Sequence, residues 1–206
     1  LHLFPHWNWE EGQTVDMWAY YNNADEAELF INGVSQGIRR KLPADPHTDE
    51  WRADIEMSTE FHVCWLVAYQ PGVVEVVTRK DGAEVARKQI HTAGAPASIR
   101  LTPDRTRLLA DGRDLSFVTV EVVDADGNLC PWAENDIQFS VKGTAFIAGV
   151  DNGSQTSMER FKDNHRKAFY GKCLVVLQSD GKSGKATLTA TANGLNNAKM
   201  NLVFSD

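Results

Sequence analysis

The 206-residue sequence predicts an all-β protein made of two tandem immunoglobulin-like β-sandwich domains. Three observations lead there. Short β-rich runs recur along the chain, tight-turn dipeptides separate them, and no window holds a sustained apolar stripe of helical period. In the first half the runs are 14–20, 27–31, 61–69, 73–79 and 84–91, with breaks at Asn32-Gly33, Pro71-Gly72 and Asp81-Gly82. Asn-Gly and Asp-Gly supply the positive φ angles of two-residue hairpin turns, so residues 28–37 read as a hairpin. The piece from Lys41 to Trp51, with two prolines and few apolar residues, reads as a long loop.

The segment Thr92-Ala93-Gly94-Ala95-Pro96-Ala97 is small, without hydrophobic periodicity, and reads as a flexible linker. After it the pattern restarts, with runs at 98–102, 115–123, 137–141, 146–150, 173–178, 185–192 and 198–204. Residues 115–122 alternate well, and Asp126-Gly127-Asn128 closes them with a turn. The expected domains are therefore 1–94 and 95–206, each of a size suited to one sandwich.

Composition is that of an ordinary globular protein, 42% hydrophobic and 24% charged. The net charge of −7 is carried by the first half: residues 1–94 hold 15 acids against 8 bases, and residues 95–206 hold 13 of each. No basic stripe offers phosphate neutralisation, so nucleic acid is not an expected partner, whereas a neutral glycan meets no opposition. No run approaches the roughly 20 apolar residues of a membrane-spanning helix. Starting at Leu1 without Met, the chain reads as an excised piece of a longer protein. Cys64, Cys130 and Cys173 are widely spaced and sit in or near apolar runs, which argues for buried, unreactive thiols over a disulfide framework or zinc site.

The densest cluster of unusual residues is His2, Phe4, Pro5, His6, Trp7, Asn8, Trp9, Glu10 and Glu11. Indoles cover the apolar face of a pyranose while amides satisfy its hydroxyls, so His6, Trp7, Asn8 and Trp9 are the candidate contact residues. Packing against a neighbouring domain is the favoured reading of the same residues over sugar contact. In an extended segment Trp7 and Trp9 point to one face, and both are expected among the more exposed tryptophans, or else folded back or covered by a neighbouring molecule. Trp18, Trp51, Trp65 and Trp132 read as core residues, Trp65 most clearly because it lies mid-run among Val63, Leu66 and Val67.

No catalytic residue, cofactor site or metal site is expected. Glycoside cleavage needs two carboxyls about 5–10 Å apart on a rigid frame. Asp25, Glu26, Glu28, Asp49 and Glu50 instead fall in turn-like or loop-like sequence and read as solvated acids. His47, His62, His91 and His165 lack a second ligand at metal-binding spacing. Nucleophile-elbow, P-loop and dinucleotide-binding motifs are absent from the sequence. Residues 161–172, rich in acids and bases, read as the anchor of a crossing connection pinned by Phe161 and Phe169.

Three segments together resemble a known family. Phe4-Pro5-His6-Trp7-Asn8-Trp9 with Glu11-Gly12-Gln13 resembles the opening of the domain that follows the catalytic barrel in bacterial family 2 glycoside hydrolases, the β-galactosidase group. Residues 28–37, Glu-Leu-Phe-Ile-Asn-Gly-Val-Ser-Gln-Gly, resemble that domain's hairpin. Asp151-Asn152-Gly153, Phe161-Lys162, Arg166-Lys167-Ala168-Phe169 and residues 171–178 resemble the family's last sandwich domain. Relatives often continue Asn-Gly with Asp-Pro or Asn-Pro, where this chain has Ser154-Gln155.

The resemblance implies a non-catalytic C-terminal portion of a β-galactosidase-like enzyme. It would support the catalytic barrel of the same polypeptide and shape its substrate cleft, in a parent located in the periplasm or outside the cell. The family's catalytic glutamates lie in that barrel, so none is carried over here. The second reading is a carbohydrate-binding module that holds polysaccharide near the active site. An adhesion sandwich is a third class, with no residue to distinguish it.

Overall fold

The computed structural model describes residues 1–41 and 58–206. His47, Asp49, Glu50, Trp51 and all but the first residue of the expected 41–51 loop lie outside the described residues. The described chain is all-β and divides into two compact units, Leu1–Thr92 and Ala93–Asp206. Among the described residues, no helix is long and apolar enough to cross a membrane.

In the first unit the described strands are β1 (His2–Phe4), β2 (Thr14–Tyr20), β3 (Glu26–Ile31), β4 (Val34–Arg39), β5 (His62–Ala68), β6 (Val73–Lys80) and β7 (Ala83–His91). They form an antiparallel three-stranded sheet, β1-β2-β5, and an antiparallel four-stranded sheet, β4-β3-β6-β7. Alternation sends Val15, Met17 and Ala19 of β2 inward with Val63, Trp65 and Val67 of β5. They meet Ala27, Leu29 and Ile31 of β3 and Val74 and Val76 of β6 in one core. Trp65 is buried there as expected, and its Nε1 donates to the Gly37 carbonyl at 3.0 Å. The β3–β4 and β6–β7 hairpins turn through Asn32-Gly33 and Asp81-Gly82, where all four residues have positive φ. Asn32 also fixes the neighbouring turn, its Oδ1 accepting from Val73 N at 2.8 Å and its Nδ2 donating to Pro71 O at 3.1 Å.

The second unit has β8 (Ser98–Pro103), β9 (Arg107–Leu109), β10 (Leu115–Val123), β11 (Asp136–Gly143), β12 (Ala145–Asp151), β13 (His165–Lys167), β14 (Lys172–Ser179), β15 (Gly184–Thr191) and β16 (Ala198–Ser205). One sheet runs β12-β14-β10-β8 and the other β13-β11-β15-β16-β9, the β9–β16 pair being parallel. Val118, Val120 and Val122 of β10 and Val175 and Leu177 of β14 face Ile137 and Phe139 of β11 and Leu188 and Leu202 across a shared core.

Of the segment at 92–97, expected to be a flexible linker, Thr92 belongs to the first unit and residues 93–97 are tied into the second. Ala93 is buried in that core, Ala97 N donates to Val123 O at 2.8 Å, and Asn196 N donates to Ala97 O at 2.8 Å. β1, β9 and β13 have no counterpart among the runs legible in the sequence, because three residues are too few to display a period.

Candidate functional site

The candidate residues at the start of the chain separate into two environments. The strand ends at Phe4, so the alternation that would put both indoles on one face no longer applies. Trp7 turns into the core of its own unit, fully buried, with Nε1 donating to Gln70 O at 3.0 Å. Its ring meets Tyr69 edge-on, with centroids 5.0 Å apart and planes at 68°. Of the alternatives for Trp7, exposed or folded back, it takes the second: burying its ring in the core is worth more than displaying it. Trp9 stays half-buried, stacked on His6 at 4.5 Å with 21° between planes, and donates Nε1 to His6 O at 2.8 Å. Asn8 N donates to His6 Nδ1 at 3.3 Å, and burial lowers the His6 pKa. His6, Asn8 and Trp9 thus form a local cluster that Trp7 anchors from below.

The outward face of β1-β2-β5 is also aromatic. Phe4 lies opposite Trp18, and Tyr20 opposite His62. Trp18 and His62 stack at 4.3 Å with 4° between planes. Phe4, Tyr20 and Leu66 on this face are exposed. Trp18, expected in the core, is half-buried here because its even-numbered register puts it opposite Met17 and Ala19.

Among the described residues, the carboxylates weighed as a catalytic frame, Asp25, Glu26 and Glu28, are engaged in ion pairs and hydrogen bonds around β3. Glu28 accepts from Ser35 Oγ at 2.7 Å and from Arg79 at 2.8 Å, which keeps its carboxyl below the usual range. Glu26 pairs with Arg40, and Asp25 Oδ2 accepts from Asp81 N at 2.8 Å.

In the second unit Arg166 is the hub of the crossing connection and is 1% exposed. Its Nη1 donates to Glu159 O and its Nη2 to Asp151 Oδ1 and Asn152 Oδ1, each at 3.2 Å. Asp151 and Asn152 thus serve Arg166 together, because a buried guanidinium needs acceptors. Phe161 and Phe169, expected as pins beneath this loop, are instead exposed. The guanidinium lies 5.3 Å from the Phe161 ring centre and is covered by it from outside.

The β11–β13 pairing brings together Asp136, Glu159 and His165, whose ligand atoms lie within 4.8 Å of one another. This is a juxtaposition that residue spacing does not announce. His165 Nδ1 lies 2.9 Å from Asp136 Oδ1, and that hydrogen bond raises the His165 pKa. The Glu159 carboxylate already accepts from Ser157 Oγ at 2.9 Å and Lys167 N at 3.0 Å, with Arg166 Nε 3.7 Å away. Arginine supplies the positive charge there, so the cluster is an ion-pair network with little need for a metal.

A further group escaped the sequence reading. Trp132, expected in a core, is 58% exposed beside Tyr170, ring centres 6.1 Å apart. Tyr170 meets Phe169 edge-on at 4.6 Å. The two-residue turn Tyr170-Gly171 has φ of 49° and 73°, and Phe169 and Lys172 exchange both backbone hydrogen bonds across it. Gly171 is required: a Cβ there would lie 2.3 Å from Cys130 O.

The family model described as Glycoside hydrolase family 2 C-terminal domain 5 matches residues 99–201, and one described as a domain of unknown function (DUF4982) matches residues 12–86. A β-galactosidase of Bacteroides ovatus is 59% identical over 202 residues, 98% of this chain and 22% of the relative. A β-glucuronidase of Formosa agariphila is 27% identical over 98% of this chain and 19% of its own length. The crystal structure of a β-glycosidase from Bacteroides vulgatus superposes with a TM-score of 0.84 at 34% identity, covering 98% of this chain and 24% of that one. The chain thus spans about a fifth to a quarter of the length of the relatives it matches.

Proposed function

The chain belongs to glycoside hydrolase family 2, and on that premise we propose that it is the non-catalytic accessory portion of a β-galactosidase-like enzyme. The observation that carries this reading is the alignment of nearly the whole chain with 22% of a β-galactosidase. The remainder of such an enzyme has to hold the reacting carboxyls. Supporting it, the acids at 25–28 are committed to ion pairs and backbone hydrogen bonds between strands.

The role is to buttress the catalytic barrel of the same polypeptide. The aromatic outward face of β1-β2-β5, with Phe4, Trp18, Tyr20 and Leu66, is where we place that contact, since exposed apolar patches of this kind mark interfaces. His6, Asn8 and Trp9 are assigned to the rim of the barrel contact and its cleft. Trp7 supports them from the core.

The test is to compare this chain with a longer polypeptide that also carries the upstream barrel. The isolated chain should not turn over p-nitrophenyl β-galactoside, and the longer polypeptide should. Phe4→Ala with Leu66→Ala should lower the melting temperature of the longer polypeptide's barrel and leave the isolated chain within about 1 kcal/mol of its original stability. Turnover by the pure isolated chain would overturn the reading.

A further inference from the structure

Asparagine is followed by glycine at Asn32-Gly33, Asn152-Gly153 and Asn193-Gly194. We propose that, of these, Asn193 is a self-modification site: in water it converts to aspartyl and isoaspartyl residues, which loosens the head of the second unit. This chemistry needs no partner and does not depend on the accessory role.

The reaction belongs to the dipeptide. The Gly194 backbone nitrogen gives its proton to solvent base and attacks Cγ of the Asn193 side chain. Ammonia leaves and a succinimide ring closes. Water then opens the ring at either carbonyl. Opening at the side-chain carbonyl gives aspartate, whereas opening at the backbone carbonyl gives isoaspartate, with an extra methylene in the main chain. The sum is amide plus water giving carboxylate and ammonium, with no change of oxidation state. Glycine favours ring closure because it has no Cβ to hinder the swing of the peptide toward Cγ.

The fold separates the sites. Asn32 is held at both ends of its amide, by Pro71 O at 3.1 Å and Val73 N at 2.8 Å. Asn152 Nδ2 donates to Lys167 O at 2.9 Å, and its Oδ1 accepts from Ser154 N at 3.0 Å and Arg166 Nη2 at 3.2 Å. The Gly153 nitrogen that would attack it is itself donating to Asp151 Oδ1 at 3.2 Å. Both sites must lose several hydrogen bonds by local opening before a ring can close. Asn193 and Gly194 are exposed, and among the described residues no hydrogen bond engages the Asn193 amide or the Gly194 N–H. Their turn, between β15 and β16, is closed by Leu195 N donating to Ala192 O at 3.3 Å. A Cβ built on Gly194 would meet nothing within 4 Å, so the peptide has room to swing. The turn also secures the start of the unit. Leu195 packs against the core, Asn196 N donates to Ala97 O at 2.8 Å, and Asn196 O accepts from Ile99 N at 3.2 Å. A methylene inserted just before Leu195 shifts all three contacts.

Peptide mapping of the folded 206-residue chain after incubation at mildly alkaline pH tests this. The peptide with Asn193 should gain the acid-for-amide mass and accept methyl groups from an isoaspartyl methyltransferase. It should do so about tenfold or more faster than the peptides with Asn32 and Asn152. In urea the rates should converge, because the dipeptide is the same. Asn193→Gln should remove most of the methyl acceptance, since glutamine closes a larger ring slowly, and when fresh it should melt with the original chain. After equal incubation the original chain should melt below Asn193→Gln. Conversion of Asn32 or Asn152 in the folded chain as fast as Asn193 overturns the proposal. So does an Asn193 that persists in the folded chain while the unfolded chain converts. Rates that stay apart in urea overturn it too, because they assign the difference to neighbouring sequence. Equal melting of the two aged chains, with Asn193 converted, overturns the loosening.

Discussion

Asp124 Oδ2 accepts the backbone N–H of Gly94 at 2.8 Å, so a buried carboxylate fixes the point where the second unit begins. The same side chain accepts from Asp126 N at 3.0 Å, Asn128 N at 2.8 Å and Asn128 Nδ2 at 3.1 Å. One residue thereby shapes the Asp126-Gly127-Asn128 turn and clamps the entering chain.

Asp124→Ala should therefore cost the second unit about 2–4 kcal/mol, because several buried donors lose their acceptor together. Burial alone would raise the Asp124 pKa, but the donors outweigh it and hold the carboxyl below its ordinary value. A depressed folded value gives stability that is present above the unfolded pKa and is lost as pH falls through the folded one. Urea midpoints between pH 5 and pH 2 should decline more steeply in the original chain than in Asp124→Ala.

Trp7→Ala should destabilise the first unit by about 3–5 kcal/mol, the range for deleting a buried aromatic. Trp9→Ala, on a half-buried ring, should cost clearly less. Equal losses from the two substitutions, measured by urea unfolding, would contradict their different placement.

His165 should titrate above the ordinary histidine range in proton NMR, held there by Asp136. Asp136→Asn should return it to that range. Because the folded value is raised, this pair stabilises the fold below the unfolded histidine pKa, and the contribution disappears as pH rises through the folded value.

Cys173 should resist alkylation in the native chain at pH 8 and react on unfolding, since burial pushes its thiol up to about 12. Cys64 and Cys130 are also buried, so native labelling with an aromatic disulfide reagent should be slow at all three positions.

Much of the fold was legible because it is written in alternation and turn dipeptides. Residues 115–122 alternate, and β10 sends Ser116, Val118, Val120 and Val122 inward as that pattern requires. Asn32-Gly33 and Asp81-Gly82 turn where their chemistry demands. What was not legible depends on distant partners. Phe4 ends a strand defined by pairing with Trp18, and only that ending turns Trp7 into the core and separates it from Trp9. Trp132 was read as core from its residue type, yet Pro131 and Ala133 take the buried positions on either side of it. The Tyr170-Gly171 dipeptide was the available signal for that aromatic group, since an aromatic before glycine at a hairpin tip is out of place.

The last long strand of the second unit, β16, is not an edge: it lies between β15 and β9. Its parallel partner β9 pairs Leu108 with Phe204, residues separated by most of the unit. During synthesis, residues 107–109 must therefore wait unpaired until residues 203–205 have left the ribosome, whereas every described strand of the first unit meets its partners by residue 91. A chain lacking residues 198–205 would lose an interior strand, leaving β15 as a new sheet edge and β9 without its partner, both templates for aggregation. Quality control of this polypeptide should therefore be most sensitive to whether residues 198–205 are present.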